Sequence, residues 1–373
     1  MSSRRQAYFK PSAQPEVVPS GAPTELVHAF HCKLPGYAPT RLVSLDGLAK
    51  EFCVDAVYLK EESNRIGVPS FKILGASWGT FRAVARKLKL PLDCELAEVK
   101  EATKLNPTTL YAATAGNHGR AVARVGSLLG LRVEIFVPTG MHPDTMRFIT
   151  DEGAHLTIVS GNYDDTVRTA CEESQKSGAI LIQDMAWEGY EEIPNWIVEG
   201  YSTMLREVDA QLPAQHTPTH ILTPVGVGSL AQAVVAHYAS PTHPSRPTII
   251  AVEPDMAACL HNALTTGTST TIETQPTILA GLNCGTVSLT AWPLLRAAVS
   301  VAVTVSDHEA HTACTYLSSQ NVDAGPCGGA TVAALRRLVL SSADRHAAGL
   351  DGHSVLVLLC TEGARAYYYA AEA

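Results

Sequence analysis

The stretch SNRIGVPSFKILGASWGTFRA, residues 63–83, combines a turn, a single lysine and the start of an apolar helix. Lys72 follows a Pro-Ser-Phe turn and opens the helical pattern. An apolar surrounding lowers the pKa of a lysine, which makes its amine a better imine-forming nucleophile near neutral pH. A lysine whose ammonium extends from a helix start into solvent is the more common case. Lys72 is therefore a candidate nucleophile that needs support from the rest of the chain.

Short β-prone runs alternate with helical patterns on both sides of this stretch. The alternation predicts an α/β fold in which helices cover mainly parallel sheets. The predicted strands cover residues 56–60, 109–114, 132–137, 155–160, 179–184, 219–225, 248–254, 299–305 and 354–360. The predicted helices cover residues 72–88, 117–130, 142–153, 163–176, 192–209, 228–239, 306–318 and 328–342.

Composition excludes several classes of protein. The 373 residues are 46% hydrophobic, and a net charge of -8 is spread without a basic stripe, so no nucleic acid partner is expected. No apolar run approaches the ~20 residues of a membrane span, and the N-terminus lacks the apolar core of a secretory signal. A cytoplasmic protein without membrane partners is therefore expected. The nine cysteines form no CxxC pair, so neither a disulfide framework nor a metal site is expected.

A second candidate site is the turn in TPVGVGSLAQAVVAHY, residues 223–238, where Gly-Val-Gly-Ser joins a strand end to a helix. Small residues let backbone N–H groups approach a phosphate, and the helix N-terminus adds positive potential. The segment contains no lysine and is no Walker A loop. Taken alone, a tight βα turn that needs glycine for its own geometry explains it equally well.

Two further segments end strands with polar groups. In ATAGNHGRAVARVGSLLG, residues 113–130, exposed amides between strand and helix can hold a carboxylate, with Thr114 and Asn117 adding hydrogen bonds. Asn117 as a simple helix N-cap is the alternative. In LLCTEGA, residues 358–364, a hydroxyl group follows a buried strand.

In this order the four segments resemble the fold type II pyridoxal-phosphate enzymes, which include the threonine dehydratases. Four blocks resemble the diaminopropionate ammonia-lyase branch in particular: NRIGVPSFKILGAS, NYDDTVR (162–168), QDMAWEGYEEIPNWIVEGY (183–201) and AGLNCG (280–285). The resemblance covers about residue 55 to the C-terminus. It implies pyridoxal 5′-phosphate as cofactor, a tryptophan synthase β-like fold of two α/β domains with the cofactor in their cleft, and a homodimer.

The expected domain division follows from this resemblance and from composition. Residues 26–88 and 202–373 form the large cofactor-binding domain, and residues 89–201 form a small inserted domain. Residues 1–25 are rich in Pro, Ser, Ala and Gly and are expected to be a flexible N-terminal arm.

The resemblance also implies roles for individual residues. Lys72 would carry the cofactor as a Schiff base, and Asp184 would be the catalytic acid or base. Contacts to the cofactor are implied for Phe71, Asn117, Gly226, Val227, Gly228, Ser229, Leu230 and Thr361. Contacts to the substrate are implied for Thr114, Ala115, Gly116 and His118. Thr361, with Cys360 as the alternative, would face the pyridine nitrogen and leave it unprotonated, which suits elimination better than transamination.

Two positions depart from the branch. Relatives have an aspartate in TDGNHG where this chain has Ala115, and an acidic residue in ESGA where it has Cys327. The resemblance predicts α,β-elimination from a small amino acid with a β-amino or β-hydroxy group, giving a 2-oxo acid and ammonia. Two alternatives stay open, namely β-replacement through aminoacrylate and a non-catalytic protein that keeps the fold.

Overall fold

The computed structural model describes residues 5–10, 24–114, 116–161, 163–241 and 243–369. Its strands are β1 (Tyr8–Phe9), β2 (Leu42–Ser44), β3 (Ala56–Glu61), β4 (Thr109–Ala113), β5 (Arg132–Pro138), β6 (His155–Val159), β7 (Ile180–Leu181), β8 (His220–Pro224), β9 (Thr248–Pro254), β10 (Val299–Val305) and β11 (Val355–Cys360).

The α-helices cover most of the remaining described chain. They are α1 (Thr24–Lys33), α2 (Asp46–Phe52), α3 (Lys72–Leu88), α4 (Leu96–Leu105), α5 (Asn117–Leu129), α6 (Pro143–Asp151), α7 (Tyr163–Ser177), α8 (Glu192–Gly200), α9 (Ser202–Gln211), α10 (Ser229–Tyr238), α11 (Cys259–Thr266), α12 (Ala291–Ala298), α13 (Asp307–Ser319), α14 (Pro326–Leu340) and α15 (Ser342–Ala347). A 3-10 helix covers Ala280–Leu282. Within the described part of the chain, no helix is both long enough and apolar enough to cross a membrane.

The chain divides into two compact units. The first consists of Met1–Ala22, Pro39–Asn64 and Met204–Ala373, and it contains a seven-stranded sheet of order β1-β10-β9-β8-β11-β3-β2. The inner strands pair in parallel, whereas the edge strands β1 and β2 pair antiparallel. Every residue of β3, β8 and β11 is buried, as expected for parallel strands covered on both faces.

The second unit consists of Pro23–Ala38 and Arg65–Thr203, and it contains an all-parallel sheet of order β6-β5-β4-β7. Because β4 and β7 are parallel neighbours, their carboxyl ends meet at one edge of this sheet. That edge is the usual place for polar site residues in α/β folds. The residues after Ala113 and after Leu181 are thereby brought together.

Helix α3, which begins at Lys72, is fixed by close packing against α8. A Cβ added to Gly200 would lie 2.5 Å from the carbonyl oxygen of Leu74, and one added to Gly75 would lie 2.5 Å from Cε1 of Tyr201. Only glycine permits so close an approach of the two backbones, because any side chain would overlap the neighbouring helix. The small residues of KILGASWG are therefore explained by packing.

The predicted strands and helices are found, with two larger differences. The predicted helix 192–209 is two helices that meet at the buried Tyr201, whose ring packs on Phe71 at 4.8 Å between centroids. The predicted strand 179–184 is ordered as a strand only over Ile180–Leu181, because the residues that follow make side-chain contacts instead.

The grouping into units differs from the expected domain division at residues 26–38 and 65–88. Both segments belong to the second unit, because α1 packs against α3 and α8, and α3 packs against α5 and α8. The N-terminal arm also has one ordered part, since Tyr8–Phe9 pairs with β10 as an edge strand. Residues 1–4 and 11–23 of that arm lie outside the described residues.

Candidate active site

Lys72 follows a tight turn whose shape is fixed by hydrogen bonds between backbone atoms of the turn. Arg65 and Val68 exchange backbone hydrogen bonds of 2.8 and 3.1 Å, and Gly67 between them has φ +81°. The buried Arg65 guanidinium donates to the carbonyl oxygen of Ala38 at 3.2 Å. The turn therefore directs the chain into α3 with Lys72 as its first residue.

The ammonium of Lys72 donates a hydrogen bond to Oδ2 of Asp184. Their side chains are 17% and 5% exposed, so the ion pair is shielded from water. Burial alone would raise the pKa of Asp184, but opposing interactions, chiefly the charge of Lys72 and its hydrogen bond, outweigh it and lower that pKa to about 2. The Lys72 ammonium thus keeps the carboxyl group ionised, and neutralising the amine would make the carboxylate more basic.

His118 is the second partner of Asp184. Its Nε2 lies 2.8 Å from the carbonyl oxygen of Ile182, and its Nδ1 lies 3.9 Å from Oδ2 of Asp184. Burial lowers the pKa of His118, so the ring is neutral at pH 7. A carbonyl can only accept, so Nε2 carries the proton and Nδ1 is an unprotonated acceptor facing the carboxyl group.

The Nδ1 atom of His118 has no hydrogen-bond partner within the described ranges. A proton on Asp184 would supply that partner, because the carboxylic acid can donate where the carboxylate cannot. The structure therefore places His118 next to Asp184. The contact between His118 and a substrate carboxylate, implied by the resemblance, stays a prediction.

The loop after β4 is organised by Thr114. Its buried Oγ1 accepts hydrogen bonds from the backbone N–H groups of Gly116 at 2.9 Å and Gly119 at 3.0 Å. Gly116 has φ +155° and is the N-cap residue of α5, whose first turn carries the positive end of the helix dipole that attracts an anion. Asn117 begins α5. Ala115 lies outside the described residues.

Two side chains that the sequence analysis did not assign hold Asp184 in place. Gln183 accepts from the backbone N–H of Ala113 at 3.1 Å and donates to the hydroxyl of Tyr163 at 2.7 Å. The Tyr190 hydroxyl accepts from the Gln183 backbone at 3.0 Å and donates to the Leu181 carbonyl oxygen at 2.6 Å.

Tyr190 also stacks on Trp187 with ring centroids 4.4 Å apart. These contacts give a physical role to the WEGY block, which orients the segment that ends at Asp184. In the sequence, only the resemblance of the WEGY block to the ammonia-lyase branch pointed to this segment. The spacing of its residues does not predict that the Tyr190 hydroxyl contacts the backbones of Leu181 and Gln183.

In the first unit, the turn between β8 and α10 has the form of a phosphate cradle. Gly228 has φ +95°, and a Cβ there would lie 2.9 Å from Cδ1 of Leu295. A Cβ at Gly226 would lie 3.1 Å from the carbonyl oxygen of Gly281. Helix α10 has Gly228 as its N-cap residue and no side-chain cap bond from it, so the backbone N–H groups at its start can point toward an anion. This loop fits a phosphate dianion.

At the end of β11, Thr361 is 4% exposed and Cys360 is fully buried. Burial and nearby carboxylates raise the pKa of the Cys360 thiol well above its ordinary value, so both candidate partners of the pyridine nitrogen are neutral at pH 7. The Cys327 thiol is likewise held protonated, because burial and the charge of Glu362 raise its pKa. Cys327 therefore cannot replace the acidic residue of the relatives as a base.

Glu362 is a buried carboxylate that the sequence analysis left unassigned. Its Oε1 accepts from the backbone N–H of Cys327 at 3.0 Å and lies 3.5 Å from Nε of Arg365. Glu362 belongs to the sequence TEGA, but the sequence alone does not show that its buried side chain contacts the first turn of α14.

Residues 33–361 match the family of pyridoxal-phosphate dependent enzymes. The chain is 36% identical over 316 residues to a diaminopropionate ammonia-lyase of Salmonella typhimurium, which covers 80% of this chain and 75% of that protein. It is also 36% identical over 279 residues to the diaminopropionate ammonia-lyase of Escherichia coli K12, covering 74% and 70% of the two chains.

The solved structures agree with these relatives. The diaminopropionate ammonia-lyase of Escherichia coli in complex with D-serine superposes with a TM-score of 0.89 at 30% identity, over 96% of this chain and 93% of that one. The same enzyme with an aminoacrylate-PLP azomethine reaction intermediate gives a TM-score of 0.87 at 30% identity, over 97% and 94%. A threonine deaminase from T.th. shares the fold at 22% identity and a TM-score of 0.73, over 94% and 100%.

These matches confirm the predicted fold type II architecture and the predicted cofactor, pyridoxal phosphate. The family match spans both units of the chain, including Lys72, Asp184 and the Gly226–Leu230 turn. The chain belongs to the pyridoxal-phosphate dependent enzyme family.

Proposed function

We propose that this chain is a pyridoxal-phosphate-dependent ammonia-lyase that eliminates the β substituent of a small, diaminopropionate-like amino acid. The products would be a 2-oxo acid and ammonia. The observation that carries this proposal is the buried Lys72–Asp184 pair in a chain that is 36% identical to diaminopropionate ammonia-lyases. The relatives' names confirm the predicted carbon–nitrogen lyase class, whereas the substrate and the roles of individual residues are proposals.

Two groups of residues are assigned to the cofactor. Lys72 supplies the amine, and the turn Gly226, Val227, Gly228, Ser229 and Leu230 supplies N–H donors for the phosphate. Phe71, Asn117 and Thr361 complete the proposed contacts. When bound, pyridoxal phosphate supplies an electron sink for the carbanion that forms at the substrate's α carbon.

Proton transfer is assigned to Lys72 and Asp184. The carboxylate of Asp184 accepts a proton at Oδ2 or returns one to the leaving amine, and Lys72 exchanges protons with it through their hydrogen bond. His118 faces the same oxygen, with its Nδ1 3.9 Å from Oδ2, and can accept a hydrogen bond from Asp184 when that carboxyl group is protonated. Such an acceptor stabilises the protonated form that follows proton abstraction.

Binding of the substrate carboxylate is assigned to the start of α5. The N–H groups of this helix turn carry the positive end of the helix dipole, and Thr114 holds the loop in shape through Gly116 and Gly119. Ala115 contributes no charge at this position. A neutral hydroxyl at Thr361 favours elimination over transamination, as expected from sequence.

The test is a panel of β-substituted amino acids, including both enantiomers of diaminopropionate and of serine, with the holoprotein. Ammonia and 2-oxo acid should appear without an added nucleophile, and Asp184→Asn should release neither at a comparable rate. Products that form only when a second nucleophile is added would show β-replacement instead. A folded, cofactor-loaded protein that releases nothing from any member of the panel would contradict the proposal.

We further propose that the protein is a cytoplasmic homodimer that needs no membrane or nucleic acid partner. The support is the sequence resemblance and the evenly spread negative charge. Light scattering on the purified holoprotein should give twice the 39.7 kDa chain mass. A monomer with full activity would contradict the dimer, and recovery in a membrane fraction would contradict the location.

A further inference from the structure

A second group of chemically active side chains lies in the first unit, among residues that the proposed activity does not use. Asp209 in α9, His237 in the last turn of α10 and His243 in the connection to β9 direct one ligand atom each to a common point. These three atoms all lie within 4.8 Å of one another. His237 Nε2 is 2.6 Å and His243 Nε2 is 3.4 Å from Oδ2 of Asp209.

Two of the three groups are oriented by a neighbour. His243 Nδ1 lies 2.9 Å from the carbonyl oxygen and 3.2 Å from the backbone nitrogen of Ser245, and these contacts turn Nε2 of the ring toward Asp209. The hydroxyl of Tyr238 donates to Oδ1 of Asp209 at 3.3 Å and leaves Oδ2 for the shared point. A metal-binding histidine is usually oriented in this way, by contacts to the ring nitrogen that does not face the metal.

Packing limits the freedom of the two imidazoles. The His237 and His243 rings are 5.0 Å apart between centroids, and the Tyr238 and His243 rings are 4.9 Å apart. Both histidine side chains are 12% exposed, whereas that of Asp209 is 34% exposed. The nitrogen ligands are thus largely preformed, and the carboxylate is accessible enough to adjust.

We propose that Asp209, His237 and His243 form a binding site for a zinc-class divalent cation. Two imidazole nitrogens and one carboxylate oxygen suit Zn²⁺ and Co²⁺, whereas Mg²⁺ and Ca²⁺ prefer all-oxygen sites. Metal–ligand bonds of ~2.0–2.2 Å place tetrahedral ligand atoms ~3.4 Å apart. The His243–Asp209 separation of 3.4 Å fits this spacing, whereas the 2.6 Å between His237 and Asp209 must widen, which the partly exposed Asp209 side chain allows.

Metal binding should release a proton from the site. It should also link three segments of the first unit through one cation. The cation takes the place of the proton shared by His237 Nε2 and Asp209 Oδ2, and that proton leaves to solvent. A water molecule is the expected fourth ligand. The bound cation joins α9, the end of α10 and the segment before β9, so it should stabilise the fold without taking part in turnover.

The experiment is a titration of the holoprotein, freed of unbound cofactor, with ZnCl₂ in a weakly coordinating buffer. A Cys32→Ser background is used, because Cys32 Sγ lies 3.8 Å from His28 and this exposed pair would also attract zinc. We expect one cation per chain in isothermal calorimetry. Single changes Asp209→Asn, His237→Gln and His243→Gln should each weaken binding at least ~100-fold, as expected for loss of one ligand.

Two further measurements keep the test independent of how well the variants fold. Co²⁺ bound to the unmutated site should give d–d absorption without a thiolate-to-cobalt charge-transfer band, and Zn²⁺ should raise the melting temperature by ~5 °C at 100-fold excess over Kd. The control His155→Gln, an exposed histidine on β6, should change neither result. Absence of saturable binding, unchanged affinity in His237→Gln and His243→Gln, or a thiolate band would each overturn the proposal.

Discussion

The ammonium of Lys72 donates a hydrogen bond to the carboxylate of Asp184, although 112 residues separate the two in the chain. Lys72 begins α3, and Asp184 follows β7 at the carboxyl edge of a parallel sheet. The pair joins the residue that should carry the cofactor to the residue that should move protons. Because both side chains are largely buried, water competes weakly for this hydrogen bond.

Replacing Lys72 by alanine should abolish both turnover and covalent attachment of the cofactor. The variant lacks the amine that forms the covalent bond, while the Gly226–Leu230 turn can still retain some cofactor through its phosphate. Borohydride reduction followed by mass spectrometry measures the bond. Lys87→Ala, which removes an exposed lysine from the same helix, is the matched control. A reducible bond that persists in Lys72→Ala would show that another lysine carries the cofactor.

Asp184→Asn should lower kcat by ~10²–10⁴-fold while leaving the cofactor bound. The amide keeps the shape of the carboxyl group but cannot accept the proton, and a positioned acid or base contributes this factor. Steady-state kinetics with the preferred substrate give the value, and Asp93→Asn serves as an exposed control in the same unit. An Asp184→Asn enzyme with at least a tenth of the wild-type kcat would remove Asp184 from the mechanism.

Tyr190→Phe should lower kcat ~10-fold with a smaller change in KM. The hydroxyl bridges the backbones of Leu181 and Gln183, so its loss releases the segment that aims Asp184 at its target. Tyr111→Phe removes a hydroxyl from the adjacent strand β4 and should leave kcat unchanged. If Tyr190→Phe lowers the melting temperature but not kcat, the residue is structural and does not position the carboxylate.

His118→Gln should make the stability of the fold less sensitive to acid. Burial lowers the pKa of His118 in the folded chain, so the unfolded chain takes up a proton near pH 6.5 and the folded chain does not. Stability is therefore lost as pH falls below 6.5, by up to ~1.4 kcal/mol per pH unit for one such group.

The measurement for His118→Gln is the melting temperature between pH 7.5 and 5. Part of the decline should remain, because burial also lowers the pKa of His220 and of His261. The exposed His155→Gln is the control. A variant that loses stability with acid as steeply as the wild type would contradict a buried neutral imidazole at position 118.

The enzyme should strongly prefer one enantiomer of its substrate, the L form, because Ala115 provides no second carboxylate. Each enantiomer presents its α proton to a different face of the bound substrate and needs a base on that face. The Escherichia coli relative has been solved with D-serine bound. We expect kcat/KM values for L and D substrates that differ by ~10²–10⁴-fold, and Ala115→Asp should raise the lower one. Similar values for both forms in the wild type would require a base that we have not identified.

Local patterns in the sequence were sufficient for the family and for the inner strands, whereas the edge strands β1 and β2 and helices such as α1, α4 and α12 lie outside the predicted elements. Buried parallel strands such as β3 and β11 are continuous apolar runs, and the turn at Gly226–Ser229 has the composition that its backbone angles require. The helix that starts at Lys72 was predicted at its observed bounds, because its signal is contained within 17 consecutive residues.

Side-chain partners could not be predicted in the same way. The Lys72–Asp184 bond, the Nδ1 atom of His118 turned to that carboxylate, and the hydroxyl of Tyr190 beneath it all depend on β4 and β7 lying side by side. The cluster of Asp209, His237 and His243 likewise has no local spacing signal, since it is assembled from two helices and a connection. Residue type and spacing determine local backbone structure, whereas the meeting of distant side chains is decided only when the sheets and helices pack.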